Sequence, residues 1–341
     1  MNQFISPDYP WLAPLAGFSD LPFRLLCRRF GCRVACTEMI SAKGLVFGSS
    51  GTADLLRTCP GDTPLVVQLF GSEPEYLEKA VVRLRESGFT HFDLNAGCSV
   101  KKVVRTGSGA ALLKDPDRLV ACASSLIRHC APGHVGVKFR LGWTEGQDRS
   151  IVIGQMLQDA GVGWLTLHPR TAQQKFSGSA RWDGLKQLKA HVSIPVIGSG
   201  DLFTAEDGLA CLRATGIDSI MFARGALRDP AIFSRYHALQ KGMEPPTKTP
   251  DMVAEIIRSH VTLCREHGDE RTALLKMRTV VPRYLRDLPG AKALRQRFTL
   301  CSSWEEFETL LWSLERMTLG ETPCTGDNFE VDACQNVTHK S

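Results

Sequence analysis

The chain has 341 residues, of which 43% are hydrophobic and 23% charged, with a formal net charge of +5. This describes an ordinary globular protein, long enough for one unit of roughly 250 residues plus an appendage. It excludes a collagenous or membrane-spanning chain, since no apolar run approaches the ~18 residues a membrane helix needs. The start, MNQFISPDYP, has neither a basic segment nor an apolar stretch of the kind that directs secretion, so a cytoplasmic protein is expected. The positive charge leans toward anionic partners without naming one. Twelve cysteines are not dense in a chain this long. Cys122, Cys130 and Cys211 fall in apolar patterns and read as small buried hydrophobes. Cys27, Cys32 and Cys36 fit no zinc or iron–sulfur spacing, so no metal site is expected. The Asn336-Val337-Thr338 sequon reads as incidental without an export signal.

In chain order, residues 11–16 (WLAPLA) read as a short strand ending at Gly17. Ser19 and Asp20 before Pro22 announce a helix over 23–30. A second strand, 33–40, carries Glu38 near its end. A third, 64–70, is apolar except for Gln68. Ser72 to Glu75 reads as a capping box, with its helix running to about 87. The fourth strand, FDLN, begins the stretch 92–113 around which the chain is organised. It ends in Asn95-Ala96-Gly97-Cys98 and passes into a glycine-rich basic loop with Lys101, Lys102, Arg105, Gly107 and Gly109. Strands over 134–141, 164–167, 194–197 and 218–222 follow, with helices over 116–129, 149–160 and 184–190, then from 204 and from 230. Eight strands alternating with helices in about 240 residues give a (β/α)8 TIM barrel, an α/β fold. The competing fold, a doubly wound open sheet, would carry a glycine-rich nucleotide loop after its first strand, where this chain has APLAG.

Residues 242–250, proline-rich and polar, read as a linker after a barrel over 1–241. Helices without strands follow: 251–267, 270–287, 291–300 and 303–318, a small all-helical domain over 251–320. Pro282 should kink or interrupt the second. Between 271 and 300 stand Arg271, Lys276, Arg278, Arg283, Arg286, Lys292, Arg295 and Arg297, against only Asp287. Eight basic residues against one acidic give +7, a charge pattern that points to a nucleic-acid surface. Residues 321–341 are polar and acidic and read as a disordered tail.

The distinctive residues stand at strand C-termini, where barrel enzymes place their active sites. Cys98, at the tip of strand four beside Lys101, Lys102 and Arg105, suits a catalytic acid facing an anionic substrate. Strands seven and eight end in Gly198-Ser199-Gly200-Asp201 and Ala223-Arg224-Gly225-Ala226, a pair of loops that in barrels commonly binds phosphate. Lys138 would stabilise negative charge such as that on a reduced flavin. Gln68 could bond a flavin's pyrimidine edge. His168 and Arg170 read as cofactor and substrate contacts.

These residues lie in segments whose order is informative: APLAGFSDLPFR (13–24), TEMISAKGL (37–45), VQLFG (67–71), DLNAGCSVKKVVRTGSGAALL (93–113), VKFRLGW (137–143) and LHPRT (167–171). With them the chain resembles the tRNA-dihydrouridine synthases, and TEMISAKGL leans toward a bacterial subgroup. YLRDLPGAKALR (284–295) is similar to that family's helical tRNA-binding domain. The resemblance implies tightly bound FMN, contacted by Pro14, Leu15, Ala16, Gln68, Lys138, His168, Ser199, Gly200, Asp201, Ala223 and Arg224. It implies Asn95 and Arg170 beside the target uridine, with Lys101, Lys102, Arg105, Lys276 and Arg278 toward the tRNA. NADPH would reduce FMN, a hydride would pass from flavin N5 to uracil C6, and Cys98 would give the proton to C5. A thiol, mostly protonated at neutral pH, suits an acid better than a nucleophile. The chain departs from the family at Ser99, where proline is usual, at Val104 for asparagine, at Ala223 for glycine, and around 279–283. Two alternatives are a flavin reductase of free pyrimidines or small enones, against which the basic 271–300 region argues, and an RNA-binding protein with a relic barrel. No membrane or obligate protein partner is expected.

Overall fold

The computed structural model describes residues 4–268 and 270–317, the side chains of 270 and 271 excepted. The expected tail and the Asn336 sequon lie outside the described residues. Among those described, the strands are β1 (Trp11–Leu12), β2 (Val34–Cys36), β3 (Ile40–Ser41), β4 (Leu65–Phe70), β5 (His91–Ala96), β6 (Val135–Arg140), β7 (Trp164–His168), β8 (Val196–Gly198) and β9 (Ser219–Phe222). β1 lies between β2 and β9, β4 to β9 pair in sequence order, and β2 pairs with β4. All pairings are parallel. The β1–β9 and β2–β4 contacts close eight strands into a ring, so the fold is the TIM barrel and not an open sheet. β3 extends the ladder along the far end of β4.

Three expectations are corrected. The second strand breaks after Cys36, because the Thr37 hydroxyl accepts the Gln68 N–H (3.0 Å) in competition with the backbone ladder; pairing resumes only at β3. The capping box at Ser72 does not form. The helix Pro74–Glu86 starts after Glu73 with no side-chain cap, and the Ser72 hydroxyl donates instead to the Thr106 carbonyl (2.7 Å). The helix Glu270–Tyr284 passes through Pro282 and ends two residues later, where the missing N–H weakens only the last turn. The cap at Asp20 does form, its carboxylate accepting the Phe23 N–H (3.3 Å) at the start of the helix Leu21–Arg29. Short helices at Ala42–Val46, Ser50–Leu55, Lys101–Val104 and Arg224–Arg228 were too brief to show a periodicity.

The barrel interior is apolar toward the strand N-termini, where Trp11, Val34, Cys36, Val66, Trp164, Ile197 and Met221 cluster. The Trp11 and Trp164 rings lie 5.6 Å apart. A second apolar layer lies between strands and helices and runs without a break into the C-terminal helices, from Phe23 and Leu26 to Val253, Ile257 and Val280. No helix among the described residues is long and apolar enough to cross a membrane.

Candidate active site

Side chains alternate across a strand, so the apolar plug dictates what stands above it. Two residues beyond Val66 is Gln68; two and four beyond Trp164 are Thr166 and His168. Register then sets Gln68 level with Asp93, Asn95 with Lys138, and Arg140 with His168. A polar storey therefore lies on the tryptophan plug. Above it opens a cavity of about 1000 Å³, its open mouth included, at the C-terminal end of the barrel.

The polar groups form an ordered chain. Gln68 Nε2 donates to Asp93 Oδ2 (2.6 Å), and Asn95 Nδ2 donates to Gln68 Oε1 (2.8 Å). Asn95 Oδ1 accepts the N–H groups of Gly97 (3.1 Å) and Cys98 (2.9 Å). Burial pushes the Asp93 carboxyl up, against the opposing hydrogen bond from Gln68 and the charge of Lys138. Burial, and then the Arg140 charge, hold the Lys138 ammonium below the usual lysine range. That ammonium lines the cavity without a hydrogen-bond acceptor among the described residues. His168 is pushed well down, by burial first and then by Arg140 and Lys138, so its imidazole is neutral.

Arg140 is buried, and its guanidinium ties two loops together. Nε donates to the Gly97 carbonyl (2.9 Å), while Nη1 donates to those of Thr171 (3.0 Å) and Lys175 (2.8 Å). The loop 171–181 thereby folds against the Cys98 turn and brings Phe176 to the cavity wall, with the Arg224 and Arg140 guanidinium carbons 5.0 and 5.7 Å from its ring centre. Arg170 spends its guanidinium on Asp201, at 2.9 and 2.7 Å, and on the Ser177 and Gly178 carbonyls. Burial alone would raise the Asp201 carboxyl, but the bonds from Arg170 and the Ala180 N–H outweigh it and hold it low. Arg224 shares Asp201 Oδ1 at 3.0 Å and remains 38% exposed. Gly200 has φ +117°, and a Cβ there would stand 2.7 Å from His168 Cδ2, so only glycine lets this turn press against the imidazole.

The structure brings Cys98, Asn95, Lys138 and His168 to one cavity. Pro14, Leu15 and Ala16 form one wall, and Ser199, Gly200, Asp201, Ala223 and Arg224 another. Gln68 and Arg170 are buried away from the cavity wall; Gln68 acts on it through Asn95, and Arg170 through Asp201 and through His168, whose Nε2 accepts from its Nη1 (3.4 Å). Lys101, Lys102 and Arg105 are exposed on and beside the short helix that follows Cys98. Lys276 and Arg278 stand on the helix Glu270–Tyr284, outside the cavity. Lys276 is engaged by Asp20 (2.8 Å), and Arg278 donates to the Thr299 carbonyl (3.0 Å). Sequence reasoning missed Asp93, Phe176 and the stapling role of Arg140. Arg140 stands two residues beyond Lys138 and so shares its face of the strand, but Phe176 had no pattern to mark it. Among the described residues there is no group of three or more His, Cys, Asp or Glu suited to a metal ion.

The arrangement is an electropositive cavity with one half-buried thiol, one ammonium that has no hydrogen-bond acceptor among the described residues, and a glycine turn. A model described as dihydrouridine synthase matches residues 11–318. The chain is 33% identical over 301 residues to a probable tRNA-dihydrouridine synthase 1 of Synechocystis sp., covering 88% of this chain and 84% of that protein. It is 32% identical over 299 residues to tRNA-dihydrouridine synthase B of Pseudomonas aeruginosa, covering 87% and 90% respectively. Among solved structures, the old yellow enzyme homologue of Zymomonas mobilis aligns with a TM-score of 0.49 and 13% identity, over 70% of this chain and 90% of that one.

Proposed function

The chain belongs to the dihydrouridine synthase family, and from that premise we propose that it reduces uridines of tRNA to 5,6-dihydrouridine with bound FMN, using NADPH as electron donor in the cytoplasm. The observation that carries the reading is the presence on one cavity, at the C-terminal mouth of the barrel, of the Cys98 thiol and of a Lys138 ammonium that has no hydrogen-bond acceptor among the described residues. An ammonium held there without an acceptor fits an anionic cofactor. FMN, when bound, supplies the hydride taken up at C6 of the uracil.

The chain's own residues do the rest. Pro14, Leu15 and Ala16 wall the cofactor on one side. Lys138 offsets negative charge on it, and neutral His168, whose Nε2 accepts from Arg170 Nη1 (3.4 Å), offers its Nδ1–H as a donor. The Ser199–Asp201 turn and Ala223–Arg224 hold its phosphate, with the Arg224 guanidinium as the cation. Cys98 holds the proton destined for C5, and Asn95 fixes the turn that aims the thiol. Gln68 orients Asn95, and Arg170 orients Asp201, so both act from behind the wall. The target base must leave its stack to enter, as bases do in other modifying enzymes. Lys101, Lys102 and Arg105 line the approach to Cys98 and would take phosphates, while the helical domain, 251–320, would hold the body of the tRNA beside the catalytic barrel, 1–241.

The test uses the purified chain with FMN and NADPH, offered either unmodified tRNA or free uridine. Dihydrouridine is expected in the tRNA at specific positions and not in the free nucleoside. Comparable turnover of free uridine would turn the reading into a reductase of small pyrimidines or enones. A colourless protein that cannot be reconstituted with FMN would remove it.

A further inference from the structure

The segment between β1 and the first helix supplies Pro14, Leu15 and Ala16 to the cavity and then turns at Gly17, φ +79°. That turn is gripped from two sides. From the barrel, Glu38 Oε2 accepts the Gly17 N–H at 2.5 Å. From the helical region, Lys276 Nζ donates to the Gly17 carbonyl at 3.0 Å and pairs with Asp20 Oδ2 at 2.8 Å. Phe18 lies between, its ring centre 4.5 Å from the Arg283 guanidinium carbon and 5.8 Å from Lys276 Nζ. The Lys276 side chain is only 17% exposed. A lysine reaching out for a phosphate would leave its ammonium in solvent, whereas this one is turned inward onto two protein acceptors.

We propose that Lys276 is a positioning residue that clamps the segment 14–20, whose first three residues line the cavity, so that the C-terminal helical region sets how firmly the cavity holds its cofactor. This rests on the flavin reading above. The clamp joins the helical region to the Gly17 turn, three residues past Pro14, so loosening the one frees the other. A charge-assisted bond of this kind contributes on the order of 1.5 kcal/mol, equivalent to about tenfold in an opening equilibrium.

The test compares the wild-type chain with Lys276→Met, Lys276→Arg and Asp20→Asn. Asparagine is as good an N-cap as aspartate, so Asp20→Asn keeps the cap on Phe23 while removing the charge and the acceptor that faces Lys276. Hydrogen exchange in a peptide spanning 14–20 should quicken about tenfold in Lys276→Met and Asp20→Asn, stay near wild type in Lys276→Arg, and be unchanged in β5 and β6. The FMN dissociation constant should rise by a similar factor, while the slope of log tRNA affinity against log salt is unaltered. Should Lys276→Met fail to fold, the contrast between Asp20→Asn and Lys276→Arg carries the same comparison. Wild-type exchange in the variants, with a salt slope reduced by about one, would make Lys276 a phosphate contact and overturn the clamp. Faster exchange with unchanged FMN affinity would overturn its control of the cofactor. If the wild-type chain takes up no FMN, the flavin reading fails on its own, and exchange over 14–20 still decides whether the clamp exists.

Discussion

Asn95 Oδ1 accepts the Cys98 N–H at 2.9 Å, and the amide that does so is itself held at its other end by Gln68. The orientation of the Asn95 amide is thus fixed from both ends, its Nδ2 donating to Met39 Sδ (3.0 Å) as well as to Gln68. Gln68 is oriented in turn by Asp93, whose Oδ2 accepts a hydrogen bond from Gln68 Nε2. All three stand on β4 or β5 in the centre of the ring, where the backbone is least free to move. The thiol belongs to a loop, but its place is set by the barrel.

Replacing Cys98 by alanine leaves these main-chain bonds intact, including the one from the Ala110 N–H to the residue-98 carbonyl (2.9 Å). The variant should therefore fold and bind FMN and tRNA as before. Removing a positioned general acid typically costs about 10²- to 10⁴-fold in rate. A single-turnover assay with reduced enzyme and unmodified tRNA should show that loss, while KM for tRNA stays near wild type. Full turnover in Cys98→Ala would take the proton donor's role from this residue.

Asn95→Ala should do something different. It strands the Gly97 and Cys98 N–H groups and leaves Gln68 Oε1 without its donor. Unsatisfied buried polar groups cost about 1–3 kcal/mol, so the urea midpoint should fall as well as the rate. Asn95→Asp keeps the acceptor for the two N–H groups but sets an oxygen against Gln68 Oε1, so it should not rescue stability. Equal midpoints for wild type and both variants would break the proposed relay.

Much of this architecture was legible because it follows from alternation. Eight apolar strands with polar C-termini are a one-dimensional pattern, and the positions of Asn95, Lys138, His168 and Arg224 at one end follow from it. What the pattern left out depends on contacts between distant segments. Lys276 reads as one more cation in a basic run, and only folding shows Asp20 and Gly17 at its ammonium. Gln68 and Arg170 read as contacts because polar residues near strand ends usually face the ligand. Their burial behind the wall arises from partners on neighbouring strands and loops. Phe176 stands in a polar loop with no periodicity, and its place at the cavity depends on the Arg140 staple, which no local signal encodes. The broken second strand is a case of one hydroxyl, that of Thr37, outcompeting a ladder bond.

The Gly200 turn gives a prediction with an internal control. Alanine at 200 would place its Cβ 2.7 Å from His168 Cδ2 and 3.1 Å from the Ala180 Cβ, at a φ of +117°. Alanine at Gly88 meets comparable backbone strain, φ +91°, with no atom within 4 Å. Gly88→Ala should lose about 1 kcal/mol from backbone strain alone. Gly200→Ala should lose more, by about 1–3 kcal/mol of overpacking, and should weaken FMN binding as His168 is displaced. Thermal midpoints of the two variants, with flavin titrations, check this. Equal losses and equal FMN affinity would mean that the turn yields without disturbing the imidazole.

The last prediction concerns acid. His260 is fully buried between Phe23, ring centre 5.9 Å away, and Tyr284, whose hydroxyl lies 2.9 Å from its Nδ1. Burial brings it down from 6.5 to about 3, with the Asp20 charge opposing and that of Lys276 assisting. Its folded value lies below its unfolded one, so between these values the unfolded chain binds the extra proton and stability rises with pH. The contribution is whole above about 6.5 and is lost as pH falls toward 3, with a slope of at most ~1.4 kcal/mol per pH unit. His91, lowered to about 4 by burial and by its stacked neighbour His134, adds a smaller loss of the same sign. His260→Gln keeps a partner for the Tyr284 hydroxyl and cannot titrate. The variant should begin less stable at pH 7, because glutamine fills the ring's place poorly, yet lose less than wild type between pH 6.5 and 4. Urea midpoints measured across that range decide the matter, since parallel curves for the two proteins would mean that His260 is not the group whose protonation loosens the helical region from the barrel.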